Sequence, residues 1–218
     1  MGIKYPVKKK IIVRYPAGAS GRFIGCLTQM MLDPTFTFAL DDCGGVHSFE
    51  GEQVSDTVFH THDKMIKCIL DNLQTDLSII QIIATPEYAD VVLKNYWIKC
   101  IASFNEVKEI NRLTKTYGDF VDTEWASEQI YKRYEEMDPR LRSILRQDLF
   151  SQSDNLYSHT HPRILNLHSG DVFQGTSVID NIAEFLSINE FNREPVESML
   201  RLYVKMQPEL NRELLESN

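Results

Sequence analysis

Apolar and polar positions alternate with two different periods along this chain, and the order of the periods predicts an α/β fold. Residues 10–15 (Lys-Ile-Ile-Val-Arg-Tyr) form a short β-branched run bounded by a turn, which predicts a buried strand. Phe23, Ile24, Leu27, Met30 and Met31 then recur at helical spacing, and Asp33-Pro34 stops the predicted helix over 21–32. Thr35 to Leu40 alternates like an edge strand, and Cys43-Gly44-Gly45 reads as a turn. Residues 56–60 suggest a second core strand. Residues 63–74 suggest a helix with Met65, Ile66, Ile69, Leu70 and Leu73 on one face. Leu77 to Ala84 is almost continuously apolar, as expected of a strand buried on both faces. Thr85 and Pro86 fit a helix N-cap and first helical position, and that helix is expected to reach about Ile101.

The second half is more helical. Residues 104–150 are charge-rich, with Asp122 or Thr123 capping one helix and Asp138-Pro139 opening the next. Gln152 to Pro162 is polar and is expected to be loop. Arg163 to His168 reads as the last core strand, Thr176 onward as a helix bearing Val178, Ile179, Ile182, Phe185 and Leu186. Residues 193–216 read as a final helix interrupted near Pro208. No repeat or linker divides the chain, so 1–218 is expected to be a single domain with a helical insertion over about 104–160. Strands alternating with helices imply a parallel sheet wound by helices. Ligands bind such sheets at the carboxyl ends of the strands, which gathers residues 16–22, 60–63, 84–86 and 168–173 around one crevice.

Charge sharpens the location. The 218 residues carry a formal net charge of −8, yet residues 1–32 hold six basic side chains and no acid, leaving −14 for the rest. The overall balance excludes a nonspecific nucleic-acid binder, which needs a broad basic face. The basic start suits a small anion, with Lys8, Lys9 and Lys10 read as a solvated lead-in to the strand. Cys26, Cys43, Cys68 and Cys100 are widely spaced and read as reduced thiols of a cytoplasmic protein. No apolar run approaches the ~20 residues that cross a bilayer.

Three segments carry candidate chemistry. In the first, Tyr15-Pro16-Ala17-Gly18-Ala19-Ser20-Gly21-Arg22-Phe23 joins strand to helix through small residues, the layout of a phosphate-binding loop. Gly18, Ala19, Ser20, Gly21, Arg22 and Phe23 are its candidate ligands. Backbone N–H groups would cradle the anion, Ser20 and Arg22 would add side-chain donors, and the helix dipole would favour negative charge. The loop lacks the Lys-Ser/Thr ending that holds magnesium in nucleotide hydrolysis, because Arg22-Phe23 stands there. In the second, His60-Thr61-His62 lies at a strand's carboxyl end and offers an imidazole as general base. His159-Thr160-His161 repeats the pattern, but no acid or thiolate has diagnostic spacing and no metal site is expected. In the third, Lys94, Asn95 and Lys99 follow Pro86 on a predicted helix and could reach a second phosphate, against a helix whose Val91, Val92, Tyr96 and Trp97 simply pack on the sheet.

Taken in this order, the three segments resemble the sulfotransferase family, and the chain looks like a divergent viral or microbial member. Tyr15 to Arg22 is similar to that family's 5′-phosphosulfate loop, His60-Thr61-His62 to its Lys-Thr-His segment, and Ile83-Ala84-Thr85-Pro86 through Asp90-Val91 to Lys99 to its 3′-phosphate segment. Ile164 to Leu186 is similar to its carboxyl-terminal strand and helix. The resemblance implies a three-layer P-loop-type α/β fold. It implies transfer of a sulfuryl group from the donor 3′-phosphoadenosine 5′-phosphosulfate (PAPS) to an acceptor hydroxyl on a sugar, phenol or protein side chain. It gives His62 the catalytic-base position, with Arg22 and His60 beside it, and Lys94 and Asn95 the 3′-phosphate. Ala17 stands in place of the family's loop lysine, Ala84 in place of its 3′-phosphate arginine, and the terminal Arg-Lys-Gly loop is not evident. Two other readings stay open: a noncatalytic binding or structural subunit that kept the fold, and a nucleotide kinase-like phosphotransferase. A homo-oligomer or a protein partner is compatible with each; nucleic acid and membrane are not expected partners.

Overall fold

The computed structural model describes residues 10–16, 19–40, 46–47, 54–61, 77–96, 115, 136–157 and 162–207. Its centre is a parallel sheet of β1 (Lys10–Arg14), β4 (Val58–Thr61), β5 (Leu77–Ile83) and β6 (Ile164–His168) in the order β4-β1-β5-β6. Two further strands, β2 (Ala39–Leu40) and β3 (Val46–His47), pair antiparallel beside it. The helices are α1 (Gly21–Leu32), α2 (Ala89–Tyr96, after a 3₁₀ turn over Pro86–Tyr88), α3 (Pro139–Tyr157), α4 (Ser169–Phe173), α5 (Ser177–Leu186) and α6 (Arg193–Lys205). Strands β4 and β5 flank β1 on opposite sides, so the chain passes across β1 between them. In open parallel sheets ligands bind at the carboxyl ends of the strands beside such a reversal.

The two faces of the sheet differ in character. Parallel pairing sets Val58 beside Ile11, His60 beside Val13 and Ile80 beside Val13 on its other side. This face receives α1, whose closest approach is at Gly25: a Cβ there would lie 3.2 Å from Val54 and 3.8 Å from both Val13 and Val58. Helix α1 is buried on nearly every side because β1, β4 and α6 all pack on it. On the opposite face, by the period of two, lie Arg14, Gln81 and Asn166, which share one level of the register.

Several boundaries differ from the sequence expectation for local reasons. Helix α3 opens at Pro139 as expected but runs on through Gln152 to Tyr157, where a loop was expected. No Gly or Pro interrupts that stretch before Pro162, and each polar residue costs a propagating helix only a few tenths of a kcal/mol. The edge strand expected over 35–40 shrinks to Ala39–Leu40, because Asp33 Oδ1 accepts from the Thr35 N–H at 2.9 Å and its hydroxyl at 2.6 Å and holds a turn. The second core strand starts at Val58 and not Asp56, since Ser55 Oγ accepts from the Thr57 and Val58 N–H groups. Helix α4 was not anticipated; Asp171 caps it by accepting from the His168 N–H at 2.8 Å. Expectations for 63–74, for most of 97–135 and for 208–216 lie outside the described residues.

Candidate functional site

The junction of β1 and α1 is built from the backbone outward. Strand β1 delivers Tyr15 and Pro16 at its carboxyl end, and the Ala19 N–H closes a turn onto the Pro16 carbonyl at 3.0 Å. Ser20 takes the N-cap position in the left-handed region, φ 64° and ψ 14°. A serine at an N-cap normally turns its hydroxyl back onto the helix's first N–H groups. Here it makes no such bond and meets the hydroxyl of Tyr203, on α6, instead. The first-turn donors of α1 are therefore left uncapped by Ser20, and that turn contains no acidic residue.

Tyr203 is fully buried and its ring stacks on Phe23 with centroids 3.8 Å apart and planes 11° from parallel. Burial pushes its phenol up to about 12, against a smaller downward pull from the Ser20 hydrogen bond, so it stays protonated in use. Phe23 also meets Phe38 edge-on at 6.0 Å. Its side chain belongs to the core, and only its backbone N–H is on offer to a ligand.

Tyr15, His60 and Arg22 form the second part of the site. Tyr15 Oη lies 2.9 Å from His60 Nδ1, and Arg22 Nε donates to His60 Nε2 at 3.2 Å. An arginine N–H can only donate, so His60 Nε2 is the acceptor and carries no proton. Neutral His60 then holds its proton on Nδ1 and donates it to the Tyr15 hydroxyl. His60 is 5% exposed, Tyr15 7%, and Arg22 is half-buried. Of the two imidazoles of the 60–62 segment, His60 thus has its basic nitrogen directed at a guanidinium, while His62, at the expected catalytic-base position, lies outside the described residues.

The other expected site residues are distributed less tightly. Ala19 and Gly21 are buried in the loop. Gly18 and His62 lie outside the described residues, as do Ala17, Lys99, His159 and His161. Lys94 is half-buried and Asn95 buried in the last turn of α2, about 9 Å along the helix from its start. Asn95 Nδ2 has no hydrogen-bond partner among the described residues. Ala84 is 1% exposed and brings no side-chain donor.

Sequence reasoning passed over two polar groups. Arg14 Nη1 donates to Gln81 Oε1 at 3.4 Å, and Gln81 Nε2 donates to Asn166 Oδ1 at 3.1 Å, one residue from each of three adjacent strands. At the ends of β5 and β6, Ser169 Oγ accepts from the Thr85 N–H at 3.0 Å and lies 3.1 Å from Thr85 Oγ1. The signal for the first was present: each of these residues stands between two apolar or aromatic neighbours in the chain. Cys26 is also close to the site, but burial pushes its thiol up to about 12 despite the opposing charge of Arg22, which leaves it an inert core residue. Among the described residues no group of three His, Cys, Asp or Glu side chains could hold a metal ion, and no helix is long and apolar enough to cross a membrane. No protein-family model, curated protein or solved structure gives a significant match to the chain.

Proposed function

We propose that this chain is a sulfotransferase-type enzyme that takes the phosphosulfate end of PAPS at the β1–α1 junction and passes the sulfuryl group to an acceptor hydroxyl. The observation that carries the reading is the first turn of α1, which holds the basic Arg22 and no acidic residue and whose N–H groups Ser20 leaves uncapped. Arg22 and the uncapped N–H groups of the first turn suit an oxyanion. At the nucleotide's 3′ end the fit is poorer: Ala84 brings no donor and Asn95 is buried, so Lys94 would supply the charge there. In this reaction the acceptor oxygen bonds to sulfur, its proton goes to His62, and the bond from sulfur to the 5′-phosphate oxygen breaks as adenosine 3′,5′-bisphosphate leaves.

A second reading is a noncatalytic binding subunit with this fold. It is favoured by the Ser20 hydroxyl, which is engaged by Tyr203, and by the aromatic core at Phe23. Thermal unfolding separates the readings. Adenosine 3′,5′-bisphosphate at 100 times its dissociation constant adds about 2.7 kcal/mol, which for this size is roughly 5–11 °C in Tm. A shift with the bisphosphate, together with sulfuryl transfer from PAPS that His62→Ala lowers about 10²–10⁴-fold, is the expected outcome. A shift with Mg-ATP alone would favour a phosphotransferase, and no shift with either would favour the binding subunit.

A further inference from the structure

We infer that the row Arg14–Gln81–Asn166 is a register lock: it fixes how β5 is set between β1 and β6, and through that register it keeps the carboxyl ends of these strands level with one another. This role is independent of the chemistry proposed above.

The apolar pattern of β5 does not select a register. Its sequence is Leu-Ser-Ile-Ile-Gln-Ile-Ile, so Ile80 and Ile82 point to one face of the sheet and Ile79 and Ile83 to the other. None of these isoleucines is more than 1% exposed, and both faces are buried alike. A slip by one residue exchanges the two faces of a strand. From Ile79 to Ile83 that exchange replaces isoleucine by isoleucine everywhere except at Gln81.

Gln81 breaks the symmetry. Its amide is fully buried, accepts from Arg14 Nη1 at 3.4 Å and donates to Asn166 Oδ1 at 3.1 Å. Both bonds require Gln81 to lie level with Arg14 on one side and with Asn166 on the other, which is the observed pairing. One residue out of register, Gln81 would lie between Val13 and Leu165; two residues out, between Ile12 and Ile164. None of those neighbours offers a side-chain donor or acceptor. A buried amide that loses its partners costs more than the same bonds contribute when made, so the row penalises wrong registers more than it stabilises the right one.

The register reaches the ends of the strands. Thr85, just past β5, donates its N–H to Ser169 Oγ, just past β6, at 3.0 Å. A slip of two residues, at about 3.3 Å each, would carry Thr85 about 6.6 Å along the sheet and part them.

The test compares wild type with Gln81→Leu/Asn166→Leu, which makes the centre of the row apolar, and with Asn166→Asp, which keeps an acceptor for Gln81. Nitrogen-15 labelling of isoleucine marks β5, and urea unfolding is measured alongside. The expected result for the double variant is a urea midpoint close to wild type, with a second set of β5 isoleucine peaks at about a tenth or more of the intensity. Asn166→Asp and wild type should each show one set. A single set at wild-type positions in the double variant, or the same doubling in Asn166→Asp, would overturn the inference. Should the double variant fail to fold, Asn166→Leu alone, at the half-buried end of the row, is read in the same way. Failure of both to fold would also overturn it, because the row would then serve stability and not register.

Discussion

The ring of Tyr15 occupies the space that a side chain on Gly21 would need: a Cβ built at Gly21 falls 1.7 Å from Tyr15 Cδ1. The glycine in this loop is therefore required by a neighbour from the preceding strand, in addition to any ligand. Tyr15 is held by His60 and is 7% exposed, so the ring has little room to withdraw. Gly21→Ala is expected to destabilise the fold by about 1–3 kcal/mol through overpacking, read as a lower midpoint in urea. A midpoint unchanged by the alanine would mean that the Tyr15 ring lies elsewhere.

The Ser20–Tyr203 contact predicts a reversal of sign. In the wild type, Ser20→Gly relieves the left-handed conformation, worth about 1 kcal/mol. It also removes the hydrogen bond between Ser20 and the buried Tyr203 hydroxyl, which costs about 1–3 kcal/mol. The net expectation is a loss. In a Tyr203→Phe background the phenyl ring keeps its stacking on Phe23 and the Ser20 hydrogen bond is already absent, so the same Ser20→Gly change should stabilise. A double-mutant cycle of unfolding free energies checks this; equal effects in both backgrounds would show that the two hydroxyls are not coupled.

Cys26 should behave as a core residue. Its thiol is raised to about 12 by burial, so at pH 8 almost none of it is thiolate. Iodoacetamide followed by peptide mapping should leave Cys26 unmodified in the native protein and label it fully in denaturant. Rapid native labelling of Cys26 would contradict its burial in the core.

The surface between α5 and α6 carries a charge network: Arg193 bonds Asp180 at 2.7 Å and also Glu197, and Arg201 bonds Glu197 at 3.2 Å. The Arg193 hydrogen bond holds the Asp180 and Glu197 carboxyls below their usual range. A depressed carboxyl pKa contributes stability above the ordinary carboxylate range and loses it as pH falls through the depressed values. Arg193→Gln should therefore lower Tm at pH 7, and the difference from wild type should vanish near about pH 2 and shrink in about 1 M salt. Arg193 and Asp180 are solvent-exposed and Glu197 is partly so, so the effect should be small at every pH. A difference that persists at low pH would assign the role of Arg193 to packing.

The strands of the sheet and helices α1, α5 and α6 were legible in the chain because each buries one face or both, and burial writes a period into the sequence. The β1–α1 junction was legible too, since a β-branched run, small residues and an amphipathic helix in succession leave the backbone few alternatives. Two polar stretches were misread. Gln152 to Tyr157 looked like loop because its side chains are polar, although helix propagation depends on the backbone and on the absence of Gly or Pro. The row of Arg14, Gln81 and Asn166 was not legible because its hydrogen bonds join strand positions 67 and 85 residues apart.

By itself, then, the sequence determined most of the local elements among the described residues, the mostly parallel α/β class and the small-residue loop between β1 and α1. Only the tertiary structure decided what each polar atom of that loop does. Ser20 is turned away from its own helix by a tyrosine 183 positions later, and His60 is committed to Arg22 and Tyr15 by the pairing of β4 with β1. The reason is physical: periodicity reports burial, which is a property of one element, whereas a hydrogen bond depends on distance and direction between two elements that the fold alone brings together.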